Sequence, residues 1–151
     1  MVAEDLKGFP IKECFDDNKE DILECYTTAN LTKYLKVPMM IVESPYDSYS
    51  IENVVFTDCL TNKRPPFSME DCGSGPRKVI EDYRGEVISA LEKMRNGRKD
   101  VGLWAPSCAQ HGFTDSDMFT DGKSRVGGLT VSEAIQQFLD NPERAPWLID
   151  E

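Results

Sequence analysis

Two short, unbroken apolar runs flank one long helical repeat, and this pattern restricts the fold of the chain more than any other feature. The runs are 37-VPMMIVES-44 and 101-VGLWA-105. A strand with one wet face alternates apolar and polar residues, and these do not. With β-branched Val37, Ile41 and Val42 in the first run, they predict strands covered on both faces, as in a parallel sheet. Between them, Val79, Tyr83, Val87, Ile88, Leu91 and Met94 recur at helical spacing. That is an amphipathic helix of about 18 residues from position 77. Pro76 suits its first turn, and Asn96-Gly97 suits its C-terminal stop. Burying that face at roughly 1.5 to 3 kcal/mol per large side chain would hold the helix on a sheet. Strand, crossover helix and strand together make a parallel βαβ unit, so the fold class is α/β.

The other elements are weaker. Thr130 and Glu133 form a T-x-x-E capping box, followed by an apolar face of Val131, Ala134, Ile135, Phe138 and Leu139. The segment 51-IENVVF-56 suits a short helix or a strand equally. Residues 1–30 read as irregular, with one short helix around 18-NKEDILECY-26. Residues 60–76 read as a loop rich in Pro and Gly, in which Gly73-Ser74-Gly75-Pro76 is a turn capping the helix that follows. The tail 140–151 carries two prolines and is expected to be irregular. A length of 151 residues suggests one domain.

Charge narrows the partners. Lys plus Arg is 17 and Asp plus Glu is 27, a net charge of -10. Nucleic acid and anionic membranes need a basic face, so neither is an expected partner. No apolar stretch approaches the roughly 18 to 20 residues of a membrane span. Cys14, Cys25, Cys59, Cys72 and Cys108 include no C-x-x-C pair, and there is one histidine. No metal site is therefore expected, and nothing calls for a cofactor. Five cysteines and the sequon Asn30-Leu31-Thr32 fit an oxidising compartment, secreted or within the endomembrane lumen. The start, MVAEDLKGFP, lacks the basic and apolar regions of a signal peptide.

The chemistry gathers at one place. In open α/β sheets the working residues lie beyond the carboxyl ends of the strands. The loop after the first run holds Glu43 and Asp47; the loop after the second holds His111, the single histidine. Parallel strands bring both loops to the same edge. An Asp there can accept a hydrogen bond from one ring nitrogen of His111, fix its tautomer and leave the other nitrogen as a base. Acid before histidine is the order of the α/β-hydrolase triad. Spacing alone does not assign the pair, because a lone histidine is more often structural and an Asp after a strand is usually a turn residue. A nucleophile is missing from the pattern. There is no G-x-S-x-G, and Ser74 has no strand before it to form a nucleophile elbow. Cys108 lies just before His111 on the same loop and is inert if oxidised.

Three segments carry a resemblance. 37-VPMMIVESPYDSYSIENV-54, 106-PSCAQHGFTDSDMF-119 and 125-RVGGLTVSEAIQQFL-139 resemble the pectin acetylesterase and Notum family of carboxylesterases. The similarity runs from about residue 14 to 139 and corresponds to the C-terminal part of the family's domain. It implies the C-terminal part of an α/β-hydrolase-like parallel sheet with crossover helices, with Asp47 as triad acid and His111 as general base. It also implies that Cys108 is a disulfide cysteine but does not fix its partner, for which Cys72 and Cys59 are the candidates in this chain; a local pair of Cys14 and Cys25 is a further expectation. In the family the serine and the oxyanion hole lie upstream of anything in this chain. The expectation is then the C-terminal portion of a secreted or lumenal esterase, whose partners are an acylated polysaccharide or other ester and the missing N-terminal part of the same domain. A Notum-like protein deacylase is the sibling reading. A non-catalytic relic or binding module is the alternative from another class.

Overall fold

The computed structural model describes residues 11–57, 59, 72–114, 117–119 and 122–150. They fall into two compact units, Met1–Val37 and Pro38–Glu151.

The smaller unit contains helix α1 (Lys12–Asp17), a 3-10 helix (Ile22–Tyr26) and helix α2 (Thr28–Leu31). The expected helix around 18–26 is thus a tighter turn, capped by the Asp21 carboxylate accepting from the Leu23 N–H. Cys14 and Cys25 are disulfide-bonded and fully buried, with Ile11 beside them. Phe15, Leu31, Tyr34 and Leu35 pack around that centre. So short a segment has little apolar surface to bury, and a cross-link that restricts its unfolded chain makes up part of the shortfall.

The larger unit contains strand β1 (Met39–Val42), helices α3 (Ser48–Asn53) and α4 (Ser74–Arg95), strand β2 (Val101–Ala105), helix α5 (Val131–Asp140) and strand β3 (Trp147–Ile149). The sheet order is β1-β2-β3, parallel throughout. Met39 pairs with Val101 and Val42 with Trp104; Leu103 pairs with Trp147 and Ala105 with Ile149. The βαβ unit is therefore present, with α4 in the crossover, and the fold is α/β.

Strand β2 has a neighbour on each side and is buried along its whole length. Strand β1 departs from expectation. It is half-buried, four residues long, and Val37 lies outside it at 58% exposure. Among the described residues β1 pairs on one side only, which is why an equally apolar run is less covered than β2.

The tail also departs from the irregular structure expected of it. Pro142 opens a 3-10 turn, and Pro146 stands just before β3, where its carbonyl accepts from the Leu103 N–H at 2.8 Å. Neither proline sits where the ladder needs an N–H, so neither blocks the strand. The sheet closes tightly at Gly102. A Cβ there would lie 2.7 Å from Met40 Sδ and 3.1 Å from both Ala145 Cβ and the Pro146 carbonyl oxygen.

Helix α4 starts earlier than its apolar pattern suggests, with Gly73 as N-cap and Ser74 in its first turn. Its stop is the expected one. Asn96 (φ 39°) and Gly97 (φ 76°) turn left-handed. Its buried face is Ile80, Leu91 and Met94, whereas Val79 is 45% exposed. Ile80 replaces Val79 in the stripe because 80, 84, 87, 91 and 94 follow one helical face. Helix α5 has the capping box: Thr130 Oγ1 accepts from the Glu133 N–H, and Glu133 Oε2 accepts from the Thr130 N–H at 2.8 Å. Val131 and Ala134 pack with Trp104, Phe113 and Val126 in the main core. Leu139, expected on this face, is exposed. Of the undecided segment 51–56, residues 51–53 form the end of α3 and Val54 caps it, with 55 and 56 beyond the helix.

Candidate active site

Both β1 and β2 end at the same edge of the sheet, and the two loops that leave them meet there. Asp47 is the N-cap of α3. Its Oδ1 accepts from the Ser50 N–H at 2.7 Å. Its Oδ2 lies 2.7 Å from His111 Nδ1, across 64 residues of chain. A carboxylate only accepts, so the proton of this bond belongs to the imidazole nitrogen. One side chain thus caps a helix and fixes a histidine, and the cap holds the carboxylate in place for the second bond. The Asp47 side chain is 9% exposed and that of His111 is 62% exposed. The acid is shielded while the ring faces outward.

Several contacts hold the His111 loop. Ser44, fully buried, donates from its hydroxyl to the Cys108 carbonyl at 2.6 Å and accepts from the Tyr46 N–H at 3.0 Å. That hydroxyl ties the β1 loop to the β2 loop. The Gln110 amide donates to the carbonyls of His111 and Gly112. Gly112 has φ 73°, a turn that suits glycine. Phe113 then enters the core, edge-on to Trp104 with ring centroids 5.4 Å apart. The Trp104 indole N–H donates to the Leu129 carbonyl at 2.9 Å, which fixes the ring that Phe113 rests on. Tyr49, in the first turn of α3, lies over His111 with centroids 5.2 Å apart and planes tilted 31°.

The cleft around the pair has a volume of about 230 Å³ and is lined by Val42, Glu43, Asp47, His111, Gly112, Phe113 and Thr114. The Glu43 carboxyl is pushed above its ordinary value, first by burial and then by the Asp47 charge. Such an arrangement can take a proton on an outward imidazole nitrogen and stabilise the imidazolium by the carboxylate behind it.

The structure brings Asp47 and His111 together and places Glu43 in the same cleft. Ser74 lies in the first turn of α4, not at a strand end. Cys108 differs from expectation. Cys59 and Cys72 are bonded to each other, which leaves Cys108 a free thiol. Burial raises the Cys108 thiol above its ordinary value, with a further push from Asp150. A protonated, half-buried thiol is a poor nucleophile. Ser44 and Tyr49 were not legible as site residues. Their partners are distant in sequence, and a serine or tyrosine in a loop carries no signal of its own. Positions 115 and 116, an Asp and a Ser just beyond His111, and most of the loop 60–76 lie outside the described residues. Among the described residues no group of three His, Cys, Asp or Glu is placed to hold a metal ion, and no helix is long and apolar enough to cross a membrane.

Comparison with known proteins agrees in direction. The family described as Pectinacetylesterase matches residues 3–150. Pectin acetylesterase 11 of Arabidopsis thaliana is 24% identical over 102 residues, covering 65% of this chain and 25% of the relative. Pectin acetylesterase 4 of the same plant is 20% identical over 122 residues, covering 78% of this chain and 30% of the relative. The chain therefore spans less than a third of the length of these relatives. No solved structure gives a significant match.

Proposed function

The chain belongs to the pectinacetylesterase family, and from that membership we propose that it is part of a carboxylic ester hydrolase acting on acetylated polysaccharide. Asp47 is the acid and His111 the general base of a Ser-His-Asp mechanism on an α/β-hydrolase-like sheet. The observation that carries this reading is the 2.7 Å contact between Asp47 Oδ2 and His111 Nδ1 at the carboxyl ends of two parallel strands. It is the geometry the triad needs, and it comes from residues 64 apart that local structure alone would not unite.

In this mechanism His111 Nε2 removes the proton of a serine hydroxyl as that oxygen attacks the acetyl carbonyl. Asp47 stabilises the imidazolium that results. His111 then returns the proton to the leaving sugar hydroxyl. Water, activated by the same nitrogen, releases acetate from the acyl-serine. The chain has no G-x-S-x-G. The serine and the oxyanion-hole amides are assigned to sequence of the full-length enzyme outside these 151 residues. The two disulfides suit folding in an oxidising compartment, secreted or lumenal.

Acetate release from acetylated pectin by the full-length protein tests the proposal. Asp47→Asn is expected to lower kcat by about ten-thousand-fold, as in other triads. Near-full activity in that variant would remove Asp47 from the mechanism. Absence of any acetate release by the unaltered full-length protein, given both acetylated pectin and simple acetyl esters, would remove the activity itself.

A further inference from the structure

Asp47 and His111 leave one carboxyl of the cleft without a role. Glu43 directly follows β1, where its N–H donates to the Trp104 carbonyl at 3.3 Å. Its side chain is half-buried and lines the same cleft as Asp47 and His111. Both Asp47 oxygens are already engaged, one by Ser50 and one by His111. The charged groups that act on Glu43 are Asp47, from the loop before α3, and His111, from the loop after β2. They act in opposite senses: the Asp47 charge favours the protonated carboxyl and His111 favours the ionised one. The Ser44 backbone also favours the ionised form, but burial outweighs it. Two carboxyls in one small cleft do not ionise independently.

We propose that Glu43 is a positioning residue for the proton of His111, a third ionisable member of the cleft whose charge sets how strongly His111 acts as a base. The proposal rests on reading Asp47 and His111 as the acid–base pair. With Glu43 protonated, the imidazolium is stabilised by Asp47 alone. When Glu43 releases its proton, a second negative charge stands by the ring and holds the imidazolium to higher pH. The pH at which the site has a neutral, working base therefore depends on Glu43 as well as on Asp47.

The chain has one histidine, so its ring resonances can be followed against pH without overlap from another. The titration midpoint of His111 is measured by NMR in the unaltered chain and in Glu43→Gln, Glu43→Asp and Asp47→Asn. Glu43→Gln removes one nearby charge and is expected to lower the midpoint by about half a unit. Glu43→Asp keeps the charge and should leave the midpoint near its original value. Asp47→Asn, which removes the contacting carboxylate, should lower the midpoint by about one unit or more. An unmoved midpoint in Glu43→Gln overturns the proposal while the acid–base pair stands. An equal shift in Glu43→Gln and Glu43→Asp also overturns it, because shape rather than charge would be the cause. An unmoved midpoint in Asp47→Asn beside a lowered one in Glu43→Gln overturns the Asp47 pairing instead, and leaves Glu43 as the charge that His111 senses.

Discussion

Ser44 carries no chemistry of its own, yet its hydroxyl joins the two loops that hold Asp47 and His111. It is fully buried and bonded at 2.6 Å to the Cys108 carbonyl. Ser44→Ala would leave that carbonyl and the Tyr46 N–H short of a partner, at a cost of about 1 to 3 kcal/mol. Urea unfolding of the variant measures the loss, and an unchanged midpoint would mean that the loops are held by other contacts. Cys108, behind the same bond, offers a second check. Its thiol is raised by burial and stays protonated at neutral pH. Alkylation by iodoacetamide at pH 7 should be slower than for a free thiol in solution, and the rate should rise only well above that pH. A fast reaction at pH 7 would restore Cys108 as a nucleophile to be considered. The meeting of Asp47 and His111 was legible because each follows an apolar run that announces a strand end. Ser44 was not, because its meaning lies in a carbonyl 64 residues away.

At the scale of elements, local signals translated well and non-local ones did not. The capping box at Thr130 and Glu133 needs only its own turn, and it forms as written. Thr130→Ala should lower stability by about 1 kcal/mol, read from thermal or denaturant unfolding. The left-handed stop of α4 is equally local. Strand β3 is different. Its three residues have no strand pattern of their own and become a strand by pairing with β2. Their two neighbouring prolines pointed to irregular chain, and only the position of each relative to the ladder shows that both are harmless. Strand β1 shows the converse: its apolar run was readable, but its degree of cover depends on what lies beside it. Gly102 lies close to both Met40 of β1 and the chain just before β3. Gly102→Ala would press a methyl against Met40, Ala145 and Pro146, and a markedly lowered unfolding midpoint is expected. Tolerance of alanine there would mean that β1 or the chain before β3 lies further from β2.

At the scale of the whole molecule, charge and stability meet in the cleft. Glu43 has its carboxyl raised above the ordinary value of 4.5. The folded chain therefore binds that proton more tightly than the unfolded chain does. The stability linked to it is present below about pH 4.5 and is lost as pH rises through the folded value. Glu43→Gln should thus match the unaltered protein in acid and exceed it in stability at neutral pH, as measured by unfolding at both pH values. A difference that is largest in acid would reverse the assigned direction. The charge of -10 and the mixed cysteine pattern placed the chain in a broad class, and the match over residues 3–150 places it in the pectinacetylesterase family. The chain covers 25% and 30% of its two relatives, so much of a whole enzyme of that length would be built by other sequence. What the described residues hold at the sheet edge is an imidazole oriented by Asp47.

That orientation can be read directly. The account requires the neutral His111 ring to carry its proton on Nδ1, donated to Asp47 Oδ2 at 2.7 Å, with Nε2 bare as the base. The 15N shifts of the single histidine, recorded above its titration midpoint, distinguish a protonated ring nitrogen from a bare one. The predicted result is a protonated Nδ1 and an unprotonated Nε2, with the preference lost in Asp47→Asn. A neutral ring protonated mainly on Nε2 would contradict the account, because the nitrogen meant to take the proton would already hold one.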